Sequence, residues 1–145
     1  MQDSLKISQI EDFLIGVGRM FPTPLSKKVD LHQLAMKFHE KATIFSEIYQ
    51  EKIVAMVVGY TENVIDDKAY ISVVATKPEF QGNGIAKKLV NKFLTFSKKK
   101  GLKAVHLYTS YTNIKAISLY EAIGFVKWKL DNEPRKEDLH LIYYL

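Results

Sequence analysis

Ile71-Ser72-Val73-Val74-Ala75-Thr76-Lys77-Pro78-Glu79-Phe80-Gln81-Gly82-Asn83-Gly84-Ile85-Ala86 runs from a β-branched stretch, past a proline and through two glycines, into a helical pattern that opens at Ile85. The order is strand, tight loop, helix. The glycines let the loop backbone approach a bound group closely, and the amides of the first helical turn have no acceptor inside the helix. Those donors and the positive end of the helix dipole favour phosphate oxygens at that spot. Lys87 stands where a GxGxxG dinucleotide fingerprint needs its third glycine, and no Gly-Lys-Ser/Thr follows for a nucleotide P-loop.

After the loop, Ile85, Leu89, Phe93 and Phe96, with Ala86, Val90 and Leu94 beside them, make a wide apolar helix face, and Gly101 is placed to end it in the left-handed conformation. Lys103 to Thr109 reads as the next strand, parallel to the one ending at Thr76 through a crossover. Asn113 precedes a short helix closed at Gly124-Phe125. Two last strands, about Val126 to Leu130 and Leu139 to Tyr144, flank a polar loop holding Asp131-Asn132-Glu133-Pro134.

Upstream, Ser8-x-x-Glu11 is a capping-box pattern for a helix from about Ser8 to Met20, ended by Pro22-Thr23-Pro24. Asp30 caps a second helix with the stripe Leu31, Leu34, Ala35 and Phe38, ending near Lys41; His32 and His39 fall off that stripe and read as surface residues. Thr43 to Tyr49 and Ile53 to Tyr60 form a hairpin about Gln50-Glu51-Lys52, and Asp66-Asp67 marks the turn into the central strand.

At 145 residues the chain reads as one domain, 1–145, with its own core and no repeat or linker. It has no cysteine, which excludes disulfides, thiol nucleophiles and thiolate metal sites; no metal is expected. The start of the chain lacks the apolar core of a signal peptide and no run is long enough for a membrane span, so the expectation is a cytoplasmic protein without a membrane partner. The net charge of +5 gathers partly in Lys87, Lys88, Lys92 and Lys98 to Lys100. That run reads either as a solvated helix face or as attraction of a polyanionic ligand. Nucleic acid is not expected, because no aromatic residues interleave the lysines.

Gln81-x-x-Gly84-x-Ala86 resembles the acetyl-coenzyme A loop, Gln/Arg-x-x-Gly-x-Gly/Ala, of the GNAT-type N-acetyltransferase superfamily. Asn113-x-x-Ala116-Ile117-x-Leu119-Tyr120-Glu121-x-x-Gly124-Phe125 is similar to that family's later motif. The resemblance covers roughly Phe45 to Val126. It implies an α/β (α+β) domain with a mixed, mostly antiparallel sheet of about six or seven strands and helices on both faces. It also implies acetyl-coenzyme A as co-substrate, held where two strands splay apart. Val73, Val74 and Thr76 would then give backbone contacts to the pantetheine arm. The pyrophosphate would lie on the Gly82-Asn83-Gly84-Ile85-Ala86 turn, with Gln81 at the entrance and Lys87 adding charge. Asn113 would touch the pantetheine arm, and the Tyr120 hydroxyl would reach the sulfur as general acid; Tyr120 also reads simply as an aromatic on the apolar face of its helix.

The implied reaction is direct acetyl transfer to a primary amine of a small molecule or protein. The alternative is a non-catalytic acyl-coenzyme A binding or sensing module. For the base, Glu62 and Tyr60 rank ahead of His106, with Glu47 and Tyr108 also in range. Strand alternation sets His106 opposite Val105 and Leu107, and His140 reads as structural or exposed. The acidic residues Glu62, Asp66, Asp67, Asp131, Glu133, Glu137 and Asp138 read either as solubilising loop residues or as favouring a cationic acceptor, and the apolar last strand, Leu141 to Tyr144, leaves a homodimer open.

Overall fold

β1 (Thr43–Tyr49) and β2 (Lys52–Tyr60) pair antiparallel about Gln50 and Glu51, whose φ angles of 51° and 67° supply the left-handed pair that a two-residue hairpin turn requires. β2 pairs antiparallel with β3 (Lys68–Thr76), and the register slips once, between Val58 and Gly59, leaving Ser72 unpaired as a bulge. The slip changes what β3 presents to each face. Before it, Ala69 and Ile71 are buried on one side of the sheet; after it, Val73 and Ala75 are buried on the other. Gly59, opposite the slip, has no room for a side chain: a Cβ would lie 2.5 Å from the Phe93 ring and 2.6 Å from the Tyr70 carbonyl oxygen.

The computed structural model describes residues 5–18 and 30–145. Six strands form one sheet in the order β1-β2-β3-β4-β6-β5, with β4 at Ala104–Ser110, β5 at Val126–Lys127 and β6 at Asp138–Tyr144. β3 and β4 are parallel and every other pair is antiparallel. Helices α1 (Ile7–Val17) and α2 (Leu31–Lys41) bury Phe13, Leu14 and Phe38 against the front of β1 to β3. Helices α3 (Ile85–Lys99) and α4 (Ile114–Ile123) cover the back, where Leu89, Phe93 and Tyr120 meet Ile71, Leu107 and Leu141. Gly101, at φ 85°, ends α3 as its position predicts.

Three expectations change. The first helix begins at Ile7 rather than Ser8: its cap is Lys6, whose N–H donates to Gln9 Oε1 at 2.9 Å. Its expected end near Met20 and the Pro22-Thr23-Pro24 stop lie outside the described residues. The strand expected over Val126 to Leu130 is two residues long, extended only by a Trp128 N–H bond to the His140 carbonyl (2.9 Å), so the sheet has six strands. Asp30 caps α2 as expected, accepting from the Gln33 N–H at 3.1 Å. The two histidines of α2 prove to be ties: His32 Nδ1 lies 2.7 Å from Glu11 Oε1 on α1, and His39 Nε2 lies 3.0 Å from the Leu5 carbonyl.

Candidate functional site

The parallel ladder between β3 and β4 runs from Lys68↔Ala104 to Ile71↔Leu107 and stops, although β3 continues to Thr76 and β4 to Ser110. Beyond that last pair the strand ends bound an open wedge. A cleft of about 440 Å³ lies there, lined by Val74, Thr76, Gly84, Asn113, Tyr120 and the first turn of α3. Phe80, Lys115 and Leu119 complete its wall. Leu119 lies inside the second motif, whereas Phe80 and Lys115 carry no pattern and only the folded chain brings them here.

The glycine loop is shaped for this cleft. Gly82 and Gly84 hold φ angles of 84° and 73°, a conformation that side chains disfavour, and a Cβ at either would meet no protein atom within 4 Å. The space beside Gly84 therefore belongs to the cleft and not to a packed neighbour. Gln81, expected at the entrance, works as a brace: its Nε2 donates to the Thr76 carbonyl at 3.0 Å. Asn83 braces the same turn, donating to the Phe80 carbonyl at 3.2 Å. The amides that open α3 face no helical acceptor, and Lys87 adds a cation beside them.

Two hydroxyls in the cleft lack partners. Thr76 Oγ1 is buried and accepts or donates nothing among the described residues. Tyr120, only 6 % exposed, packs edge-on against Phe125, and its hydroxyl has no hydrogen bond among the described residues. Burial pushes the Tyr120 phenol well above its usual range, so it stays protonated. Buried polar groups are ordinarily paired, so the Thr76 hydroxyl marks a place where a bound molecule would complete the site. Asn113 does double duty, its Oδ1 accepting the Ala116 N–H at 3.3 Å to cap α4 while the residue also lines the cleft.

Most of the expected bases lie elsewhere. Glu62 is paired with Lys100 at the far end of α3, about 20 Å along the helix from the glycine loop. Lys98 to Lys100 therefore share that distant end. Glu47 is paired with Lys88 at 2.7 Å. Tyr60 sits on the front face with a buried, unpartnered hydroxyl that burial keeps protonated.

On the front of β3, β4 and β6 the sheet register assembles a polar cluster that the motifs do not announce. Tyr108 pairs across with His140 in the β4–β6 ladder, and their rings stack at 4.0 Å. The Tyr108 hydroxyl donates to Glu133 Oε1, and Glu133 Oε2 lies 2.8 Å from His140 Nδ1. His140 Nε2 in turn lies 2.8 Å from His106 Nδ1. Burial, with His140 and Lys68 nearby, holds His106 down at about 4, so it is neutral. Burial alone would raise the Glu133 carboxyl, but hydrogen bonds from Tyr108 and His140 bring it below the usual range. Arg135 lies 4.7 Å over the Tyr108 ring while its Nε donates to Asp138 at 3.1 Å.

Known proteins agree with this architecture. The sequence model of the acetyltransferase (GNAT) family matches residues 11–125, most of the chain, and the chain belongs to that family. A mycothiol acetyltransferase of Arthrobacter sp. (strain FB24) is 43% identical over 61 residues, which are 42% of this chain and 19% of that protein. One of Actinosynnema mirum is 35% identical over 72 residues, 50% of this chain and 24% of that protein. The matched part is thus about a fifth of those relatives' length. Among solved structures, the PaiA N-acetyltransferase of Thermoplasma acidophilum in complex with coenzyme A superposes with a TM-score of 0.74 at 16% identity, covering 96% of this chain and 92% of that one. The ribosomal-protein-S18-alanine N-acetyltransferase of Escherichia coli does so with a TM-score of 0.69 at 21% identity, covering 96% and 88%. These two share the fold.

Proposed function

We propose that the chain is an acetyl-coenzyme A dependent N-acetyltransferase that passes the acetyl group directly to a primary amine. The observation that carries this reading is the convergence, in one wedge, of a helix N-terminus without internal acceptors and two unpartnered hydroxyls, Thr76 and Tyr120. Acetyl-coenzyme A is a good fit to that donor set: a polyanionic end for the α3 amides, Lys87 and Lys115, and a thioester end for Tyr120.

When bound, it would supply an acetyl group already activated as a thioester. The protein's part is to hold and polarise it. A backbone amide of β3 near Val74 would stabilise the negative charge that builds on the carbonyl oxygen. Tyr120, kept protonated by burial, donates to the departing sulfur, and the same dry surroundings that raise the phenol's pKa raise the thiol's as well. With no cysteine in the chain, transfer runs without an acyl-thiol enzyme.

The test is thermal stability with acetyl-coenzyme A, followed by thiol release against a panel of primary amines. Ligand at about 100 times its dissociation constant should stabilise the fold by roughly 2.7 kcal/mol. Gly84→Glu, which puts a carboxylate where the phosphates would lie, should abolish the shift. Tyr120→Phe should keep the shift and cut turnover by about 10²-fold or more. A shift with no thiol release from any amine would instead support an acyl-coenzyme A binding module, and no shift at all would sink both readings.

A further inference from the structure

The cluster on the front of β4 and β6 is larger than a packed histidine pair needs. A carboxylate only accepts, so the proton between Glu133 and His140 is on His140 Nδ1. His140 Nε2 and His106 Nδ1 share the next hydrogen bond of the cluster. Glu133 therefore receives hydrogen bonds from both arms, one from the Tyr108 hydroxyl and one from the histidine arm. It is the anion at the centre, with a side chain 14% exposed; the His140 side chain beside it is 3% exposed.

Place matters as much as pairing. Ile71↔Leu107 is the last rung between β3 and β4, and Tyr108 is the next residue of β4, at the mouth of the wedge. Leu107 is buried at the back with Tyr120, so alternation sets Tyr108 at the front, where the two strands begin to part. The core beneath α1 and α2 takes no residue from β4 or β6, which leaves this front uncovered by those helices. The surrounding groups are the rings of Tyr70, His106 and Trp128, the cation of Lys68 over Trp128 at 5.7 Å, the unpartnered Tyr60 hydroxyl on β2, and Arg135, paired to Asp138 and 3.3 Å from the Tyr70 hydroxyl.

We propose that this cluster is the amine-facing half of the site, in which Tyr108 meets a cationic primary amine and relays the amine's proton to Glu133. This rests on the N-acetyltransferase reading above. The ammonium N–H bond breaks as its proton passes to Tyr108 Oη, while Tyr108's own proton passes to Glu133 Oε1. One proton has moved from nitrogen to carboxylate, the nitrogen lone pair is free to attack, and no electrons have changed hands. The second N–H proton, lost as the amide forms, restores the one that Tyr120 gives to sulfur, and Glu133 returns its proton to water. His140 and His106 are positioning residues, because they hold Glu133 from the side away from the amine.

Thiol release should be followed with two probes of similar size, propylamine, a cation at neutral pH, and methoxyamine, which is uncharged there. Tyr108→Phe, which keeps the ring stack, and Glu133→Gln should each lose about 100-fold or more with propylamine near pH 7 and less than about 5-fold with methoxyamine. Most of the propylamine loss should return as the pH is raised toward about 9, where solvent supplies the free amine. Both variants should keep the acetyl-coenzyme A thermal shift. Equal losses with the two amines, or losses that do not recover with pH, would overturn the relay and leave the cluster a structural one. A parent chain that binds acetyl-coenzyme A but releases thiol with neither probe would overturn the relay and the transferase reading together.

Discussion

Tyr120 lines the cleft at the back of the sheet and Tyr108 follows the last β3–β4 rung at the front, and the two faces treat the same side chain in opposite ways. At the back, Tyr120 is enclosed by apolar neighbours, with Phe125 edge-on, and no described residue bonds its hydroxyl. At the front, Tyr108 is stacked on His140, overlain by Arg135 and tied to Glu133. Burial raises the pKa of both phenols, and at Tyr108 the bond to Glu133 raises it further. An isolated donor waits for an acceptor to arrive with a ligand; a donor already engaged to a carboxylate turns its own lone pairs outward and so receives. On the proposed reading, the first is a proton source and the second a proton sink.

The contrast can be broken at its base. Gly59 underlies both faces, because it sits across from the Ser72 bulge that re-aims β3 and under the Phe93 ring that carries α3. Gly59→Ala should cost about 2–4 kcal/mol in urea unfolding, since backbone and a fully packed ring must both move. A cost below about 1 kcal/mol would show that the two faces are not locked to a common register.

The tyrosines themselves give a sharper and smaller test, read without any substrate. Tyr108→Phe removes a donor from an ionised, largely buried carboxylate and should destabilise the fold by about 1–2 kcal/mol. Tyr120→Phe removes a hydroxyl with no partner and should be neutral within about 0.5 kcal/mol, or stabilising. Equal costs in the two variants would erase the distinction between an engaged and a waiting hydroxyl.

The smallest effect is a change of slope with pH. His106, held at about 4, refuses in the folded state a proton that the unfolded chain accepts near 6.5, so stability should fall as pH drops from about 6.5 toward about 4. His106→Gln should flatten that limb. His32, raised mainly by its hydrogen bond to Glu11, runs the other way: its contribution is present below 6.5 and is lost as pH rises through the raised value. Glu11→Gln should remove that second limb and leave the first.

The back of the wedge was legible in the sequence because local chain geometry makes it. Gly82 and Gly84 mark the turn, Asn113 caps its own helix, and Tyr120 lies seven residues on, so each feature is fixed by near neighbours. The front was not legible, because Tyr108, Glu133 and His140 meet only through the β4–β6 register and the return of the chain through α4 and β5. Glu62 shows a related limit: it follows β2 and pairs with Lys100, and nothing in the order of residues tells at which end of α3 that strand finishes. At the N-terminus, Ser8-x-x-Glu11 matches a cap pattern two residues too late, since Gln9 reaches back to Lys6 instead.

The short parallel ladder has a bearing on how the molecule comes apart. Two antiparallel sheets of three strands, β1-β2-β3 and β4-β6-β5, are joined through four rungs, against seven between β4 and β6. In amide-exchange terms that join is a seam between two cooperative units, crossed otherwise by the back core under α3. A molecule seated in the wedge would touch both units at once and act as a rivet. Protection of the Ala69 to Ile71 and Val105 to Leu107 amides should therefore rise on adding acetyl-coenzyme A by more than that of the β1–β2 hairpin, which the wedge does not reach.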